Sequence, residues 1–203
     1  MRTLLMTALF SVELLTAGQQ MNVVVCNLGD VHESIITGAQ TETQVVYHWV
    51  GVQIVWQDCK AFRPPAGQTH DPWFVIRLRT DRPPLTAGPA SLDVMGKAFV
   101  EAAGGCIADA GGCMADAYFQ SIQTTSERHH GDAGVLLGFV MAHELGHLLL
   151  GPGHTPGGVM QAAWGQKQMD SMRQGRLRFN EQSAARIRHA LEARTATSDA
   201  SGK

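Results

Sequence analysis

The stretch Met141-Ala142-His143-Glu144-Leu145-Gly146-His147-Leu148-Leu149-Leu150-Gly151-Pro152-Gly153-His154 decides how the chain is read. It is apolar enough to be a core helix, yet two histidines and a glutamate interrupt it. Histidines four apart on a helix lie one turn apart on the same face, so both imidazoles can reach one ion. Glu144 projects about 100° further round, beside the ion and not on it. From there it can accept a proton from a metal-activated water and later deliver it to a leaving amine. Burying that carboxylate without a partner is costly, and a metal explains the cost. With 9 histidines in 203 residues, chance yields about 0.015 matches to H-E-x-x-H.

Working outward, the spacing predicts a helix over 132–150. Leu137, Met141, Leu145, Leu148 and Leu149 form its buried face, opposite the histidines. Gly151 can adopt the left-handed conformation that ends a helix, and Pro152 forbids continuation. His154 then emerges three residues after the glycine, placed to swing back to the same ion. Met160 reads equally as an apolar floor beneath the histidines or as a plain core methionine. His129 and His130, in a polar stretch before the helix, read as solvated. His32, His48, His70 and His189 have no ligand spacing.

Upstream, Met21–Val25 and Val52–Trp56 are β-branched runs and read as strands. Between them Asp30 caps a helix, with Glu33 completing a capping box. Val31, Ile35, Ala39, Val46 and Trp49 mark its inner face, and Gly51 stops it. Trp73–Arg79 alternates as a half-buried strand, with Phe74, Ile76 and Leu78 on one side. Loops rich in proline separate these elements. Residues 95–119 suggest one or two strands around a short tandem repeat, Gly104–Ala110 followed by Gly111–Ala117; which copy joins a sheet stays open. A last helix starts at Asn180 and passes through Ala184, Ile187 and Leu191.

The run from Met141 to Met160 resembles the metzincin clan of zinc peptidases, and within it small bacterial members. The resemblance implies an α+β fold: a mixed, mostly parallel twisted sheet packed on a long active-site helix, with a C-terminal helix. It also implies Zn2+ held by His143, His147 and His154, with Glu144 as general base. The substrate would be an extended peptide or protein segment paired with an edge strand, for which Ala115–Phe119 is the candidate. In one respect the sequence departs from the clan's pattern HExxHxxGxxH. Leu150 stands at the glycine position and Gly151 follows, which lengthens the helix by a residue and alters the path to His154. A carboxylate on a later helix is the alternative third ligand, and Asp170 and Glu181 are the candidates.

The whole-chain properties set the frame. At 203 residues and 44% hydrophobic, the chain supports one domain with a real core. We assign 21–195 to a single zincin-like catalytic domain and 196–203 to a disordered tail. Net charge is -2, and no basic face appears, which argues against nucleic acid. The apolar run at Leu4–Phe10 and the small residues Thr16-Ala17-Gly18 outline a secretory signal over 1–20. That run is too short for a membrane span. Export to a secreted or periplasmic location would let Cys26, Cys59, Cys106 and Cys113 form two disulfides, with three pairings open. A cytoplasmic chain with free thiols is the alternative. A monomer is expected. A different function class, a zinc-binding interaction domain without hydrolysis, is consistent with a small chain that leaves little room for a deep cleft.

Overall fold

The computed structural model describes residues 18–63, 73–81, 94–101 and 113–201. The signal-like segment, apart from its last residues, and the first copy of the tandem repeat lie outside the described residues.

Five strands form one sheet: β1 (Gln19–Asn27), β2 (Val52–Asp58), β3 (Phe74–Arg79), β4 (Gly96–Ala98) and β5 (Cys113–Tyr118). Their spatial order is β2-β1-β3-β5-β4. β1 runs parallel to both β2 and β3, and β3 parallel to β5, while β4 is antiparallel to β5. The second copy of the repeat supplies β5. That strand is interior, so Ala115–Phe119 is not at an edge; among the described residues β4 is the outermost strand on that side. In β3 the alternation holds, with Phe74, Ile76 and Leu78 buried. At the opposite edge, Gln44 accepts from the Ile54 N–H (2.8 Å) and donates to the Val52 carbonyl (3.3 Å), satisfying groups that an edge strand otherwise leaves unpaired.

Helix α1 (Glu33–His48) begins later than the capping-box reading suggests. Asn27 accepts from the Val31 N–H and donates to the Val31 carbonyl, forming a turn in which Asp30 takes φ 49°. His32, not Asp30, is the cap. Trp49 falls just past the helix and is exposed, with Arg178 stacked on its ring. Two further helices, α2 (Phe119–Arg128) and α4 (Gln166–Arg173), lack a clear apolar period in sequence; the buried side of α2 is Ser121, Ile122, Thr125 and Ser126.

Helix α3 (Ala133–Leu150) is the centre of the molecule. Asp132 caps it by accepting from the Val135 N–H at 2.9 Å, and Gly151 at φ 87° ends it. It is buried on nearly all sides from Gly134 to Leu148, not along one stripe, and Leu149 is only half-buried. By length and composition it would pass as a membrane span, but 78% of it is buried within the fold. It packs on β5 and β4 and against α1. Gly138 permits the close crossing with α1, because a Cβ there would come within 2.7 Å of the Ala39 carbonyl oxygen. At that crossing Thr43 donates to the Gly138 carbonyl (2.9 Å) and Tyr47 to the Ala142 carbonyl (3.2 Å). These bonds fix α3 in rotation and height immediately before His143.

The last helix, α5 (Glu181–Ser201), starts as expected: Asn180 accepts from the Ser183 N–H at 2.8 Å. Helical backbone continues past Thr195. Cys26 and Cys59 are disulfide-bonded, tying the end of β1 to the turn after β2. Cys113 is disulfide-bonded as well.

Candidate metal centre

Helix α3 brings His143 and His147 together with their ring centroids 4.6 Å apart. Each ring is oriented from behind by a backbone carbonyl. His143 Nδ1 lies 2.7 Å from the Val159 oxygen, and His147 Nδ1 lies 3.0 Å from the Gly151 oxygen. A carbonyl only accepts, so both Nδ1 atoms carry the proton and both Nε2 atoms present bare lone pairs. Those two Nε2 atoms are 3.0 Å apart. With no proton to share, that approach is repulsive unless a cation lies between them.

His154 completes the group. The chain turns at Gly151, and the His154 ring returns to 4.8 Å from that of His147 and 5.4 Å from that of His143. One ligand atom from each of the three histidines lies within 4.8 Å of the others. The extra residue Leu150 therefore lengthens α3 without carrying His154 away. Asp170 is instead paired with Arg173 on α4, and Glu181 is exposed at the start of α5. Met160 is buried against Gly146, the residue before His147, where a Cβ would overlap its Sδ.

Burial pushes the His143 imidazole down to about 4, despite the Val159 carbonyl, and also lowers His147. Neutral imidazole is the form that binds a metal. The donor set of three imidazole nitrogens fits a divalent transition-metal ion and leaves coordination positions for other ligands.

Glu144 is 6% exposed and lies beneath the edge strand β4. The Ala98 N–H bonds its carboxylate, and a Cβ on Gly96 would overlap its Oε1, Cδ and Cγ. Burial pushes the Glu144 carboxyl up to about 8 against that bond. In the metal-free protein this sets a sign for stability. The unfolded chain ionises Glu144 above about 4.5 while the folded chain keeps the proton up to about 8, so stability falls as pH rises through that window. His143 acts oppositely, costing stability as pH falls from 6.5 toward about 4. Between about 6.5 and 8 the Glu144 contribution stands apart from that of His143. The melting temperature of metal-free protein is expected to drop across that range, and the drop should vanish in Glu144→Gln. An equal slope in both proteins would contradict it.

The histidines and Glu144 face a cleft of about 600 Å3, larger than so short a chain suggested. One wall is β4 with the flanking residues Val94, Met95 and Val100. The other combines the end of α2 with residues 161–164. Trp164 stands edge-on to His143 at 5.4 Å. His129, read from sequence as solvated, is half-buried in this wall, and its Nδ1 lies 2.9 Å from the Gln166 Oε1. Neither Gly96, Ala98 nor Trp164 carried a sequence signal, since each matters only through what folding sets opposite it.

No protein-family model and no curated protein matches the chain. Solved structures do. A zinc-dependent peptidase from Methanocorpusculum labreanum aligns over 81% of this chain and 99% of its own, with 16% identity and a TM-score of 0.52. Archaemetzincin from Methanopyrus kandleri aligns over 88% and 99%, at 15% identity and a TM-score of 0.49. Metalloproteinase-II from Bacteroides fragilis aligns over 86% of this chain and 54% of its own, at 13% identity and a TM-score of 0.49. The first of these shows the fold. This chain has the fold of a zinc-dependent peptidase.

Proposed function

We propose that the chain is a zinc-dependent peptidase of the metzincin kind, with His143, His147 and His154 as metal ligands and Glu144 as general base. The observation that carries this reading is the meeting of three imidazoles within 4.8 Å, two of them with bare lone pairs face to face, beside a buried carboxylate. Two nitrogens on one tetrahedral zinc lie about 3.3 Å apart, close to the 3.0 Å between His143 and His147. The fold shared with a zinc-dependent peptidase supports the same conclusion.

A bound zinc ion supplies Lewis acidity toward a peptide carbonyl and lowers the pKa of a coordinated water toward neutrality. The chain's own groups do the rest. A cation held by the histidines would favour the ionised form of Glu144, offsetting its burial. Glu144 takes a proton from the attacking water as the oxygen bonds to the carbonyl carbon. It returns that proton to the amide nitrogen as the C–N bond breaks. Across β4, residues 95 and 99 bond to β5 through the Met95 carbonyl and the Phe99 N–H. By strand alternation the polar groups of Gly96 and Ala98 turn to the open edge; Glu144 takes the Ala98 N–H there, and the Gly96 N–H and the carbonyls of both residues are left for an extended peptide to pair with. The Cys26–Cys59 bridge supports an oxidising compartment, secreted or periplasmic.

A non-catalytic zinc-binding domain is the weaker reading. It leaves the burial of Glu144 next to the histidines without a purpose, and structural zinc is held by four protein ligands. Metal-stripped protein should cleave a quenched-fluorescent peptide mixture only after zinc is restored, and a chelator should stop it. Zinc-loaded protein that cleaves nothing across such a mixture would favour the binding domain.

A further inference from the structure

The wall opposite β4 holds an imidazole that the proposed chemistry does not use. His129 directly follows α2 and lines the cleft. Its neighbours decide which of its ring nitrogens carries the proton. Asp170 is ion-paired with Arg173, and a carboxylate only accepts hydrogen bonds. Gln166 therefore turns its Nε2 to the Asp170 Oδ1, 2.9 Å away, and its Oε1 to the His129 Nδ1, also 2.9 Å away. An amide oxygen only accepts in turn, so Nδ1 is the protonated nitrogen. In the neutral ring Nε2 is then a bare acceptor.

The other polar groups of His129 are already committed. Its N–H donates to the Thr125 carbonyl at 3.2 Å, and its carbonyl accepts from Arg173 at 3.0 Å. Nε2 is the hydrogen-bonding atom of this residue left without a partner among the described residues. Arg173 alone ties α4 to the end of α2, since it also reaches the His130 carbonyl at 3.4 Å. The link through Gln166 adds something different: it holds the imidazole in one orientation and one tautomer. Because Arg173 neutralises Asp170, that link passes on orientation and no net charge.

A peptide laid along β4 has two hydrogen-bonding edges, because alternate residues of an extended chain turn their N–H and C=O groups to opposite sides. One edge meets Gly96 and Ala98. The other faces the wall that carries His129, where an N–H shut off from water needs an acceptor. We infer that His129 Nε2 accepts a hydrogen bond from one backbone N–H on the outer edge of the bound peptide, so that proline is excluded at that position. His129 is thus a substrate-binding residue, and Gln166 and Asp170 position it. This inference rests on the peptidase reading above and narrows its substrate class.

The test uses zinc-loaded Glu144→Gln protein and a labelled peptide selected from a random mixture for binding to it. The peptide is remade with one N-methyl group at each backbone nitrogen in turn, and every form is titrated against this protein with and without His129→Phe. Methylation removes the N–H and also restrains the chain, but the restraint is common to both proteins, so the ratio of the two effects isolates His129. At one position methylation should weaken binding to the parent protein about three- to tenfold more than to the variant, as one net hydrogen bond allows. Elsewhere the two effects should match. Zinc content and melting temperature report that the variant is folded. As a check that needs no variant, ring 15N spectra at about pH 8, where an ordinary imidazole is neutral, should show His129 protonated at Nδ1 and bare at Nε2. The Nε2 resonance should move when the peptide is added. Matching methylation effects at every position, a proton on Nε2 in place of Nδ1, or a mixture from which no peptide is retained overturns the inference. Wild-type protein that cleaves the selected peptide with no coupled position keeps the peptidase reading and loses this role of His129. A coupled position in a peptide that wild type leaves intact does the reverse.

Discussion

Glu144→Gln is expected to keep one zinc per chain and lose about 10²- to 10⁴-fold in kcat, the usual contribution of a positioned general base. The substitution is nearly isosteric, and the amide oxygen can still accept the Ala98 N–H that the carboxylate accepts now. Packing against Gly96 is preserved for the same reason. What disappears is the ability to hold a proton between the attack of water and the departure of the amine. Zinc content measured alongside kcat separates this from damage to the metal site. Unaltered hydrolysis in the variant would remove Glu144 from the mechanism.

Gly158→Ala is expected to destabilise the fold by roughly 2–4 kcal/mol and to weaken zinc binding by about 10- to 100-fold. Gly158 sits at φ 78°, where an L side chain is strained, and an added Cβ would fall 2.5 Å from the Arg178 carbonyl oxygen. That neighbour is backbone and cannot rotate away. The next residue, Val159, donates to the Arg178 carbonyl at 2.9 Å and accepts from His143 Nδ1 at 2.7 Å. A shift at 158 therefore reaches the imidazole that it orients. Gly157→Ala is the control, since its Cβ would meet nothing within 4 Å. Thermal melts and zinc titrations of the two variants check this. Matching values for both would show that the 158–159 segment does not support His143.

The central helix was legible because its signals are local. Asp132 at one end, Gly151-Pro152 at the other and an apolar run between them act through neighbours in sequence. The spacing of His143, Glu144 and His147 is fixed by the helix itself. His154 was legible as a candidate, although only the fold shows that the added Leu150 leaves it within reach. The strands β1, β2 and β3 were legible from β-branched runs and alternation. Their order was not, because β4 is three residues long and its place at the edge depends on pairing with β5. The expectation of an edge at Ala115–Phe119 came from the metzincin resemblance, and the pairing with β4 makes that strand interior. Helices α2 and α4 escaped notice because they bury small polar residues or two methionines and present little apolar period. The cleft wall that contains His129 and Trp164 is assembled by α2 and the segment before α4, so its chemistry was not visible from either piece alone.

The most direct measurement is the metal content of purified protein, wild type beside His154→Ala. One zinc per wild-type chain, lost or greatly weakened in the variant, is the expected result. Full retention in His154→Ala would take that residue out of the site, and no zinc in either protein after reconstitution would contradict the metal centre altogether.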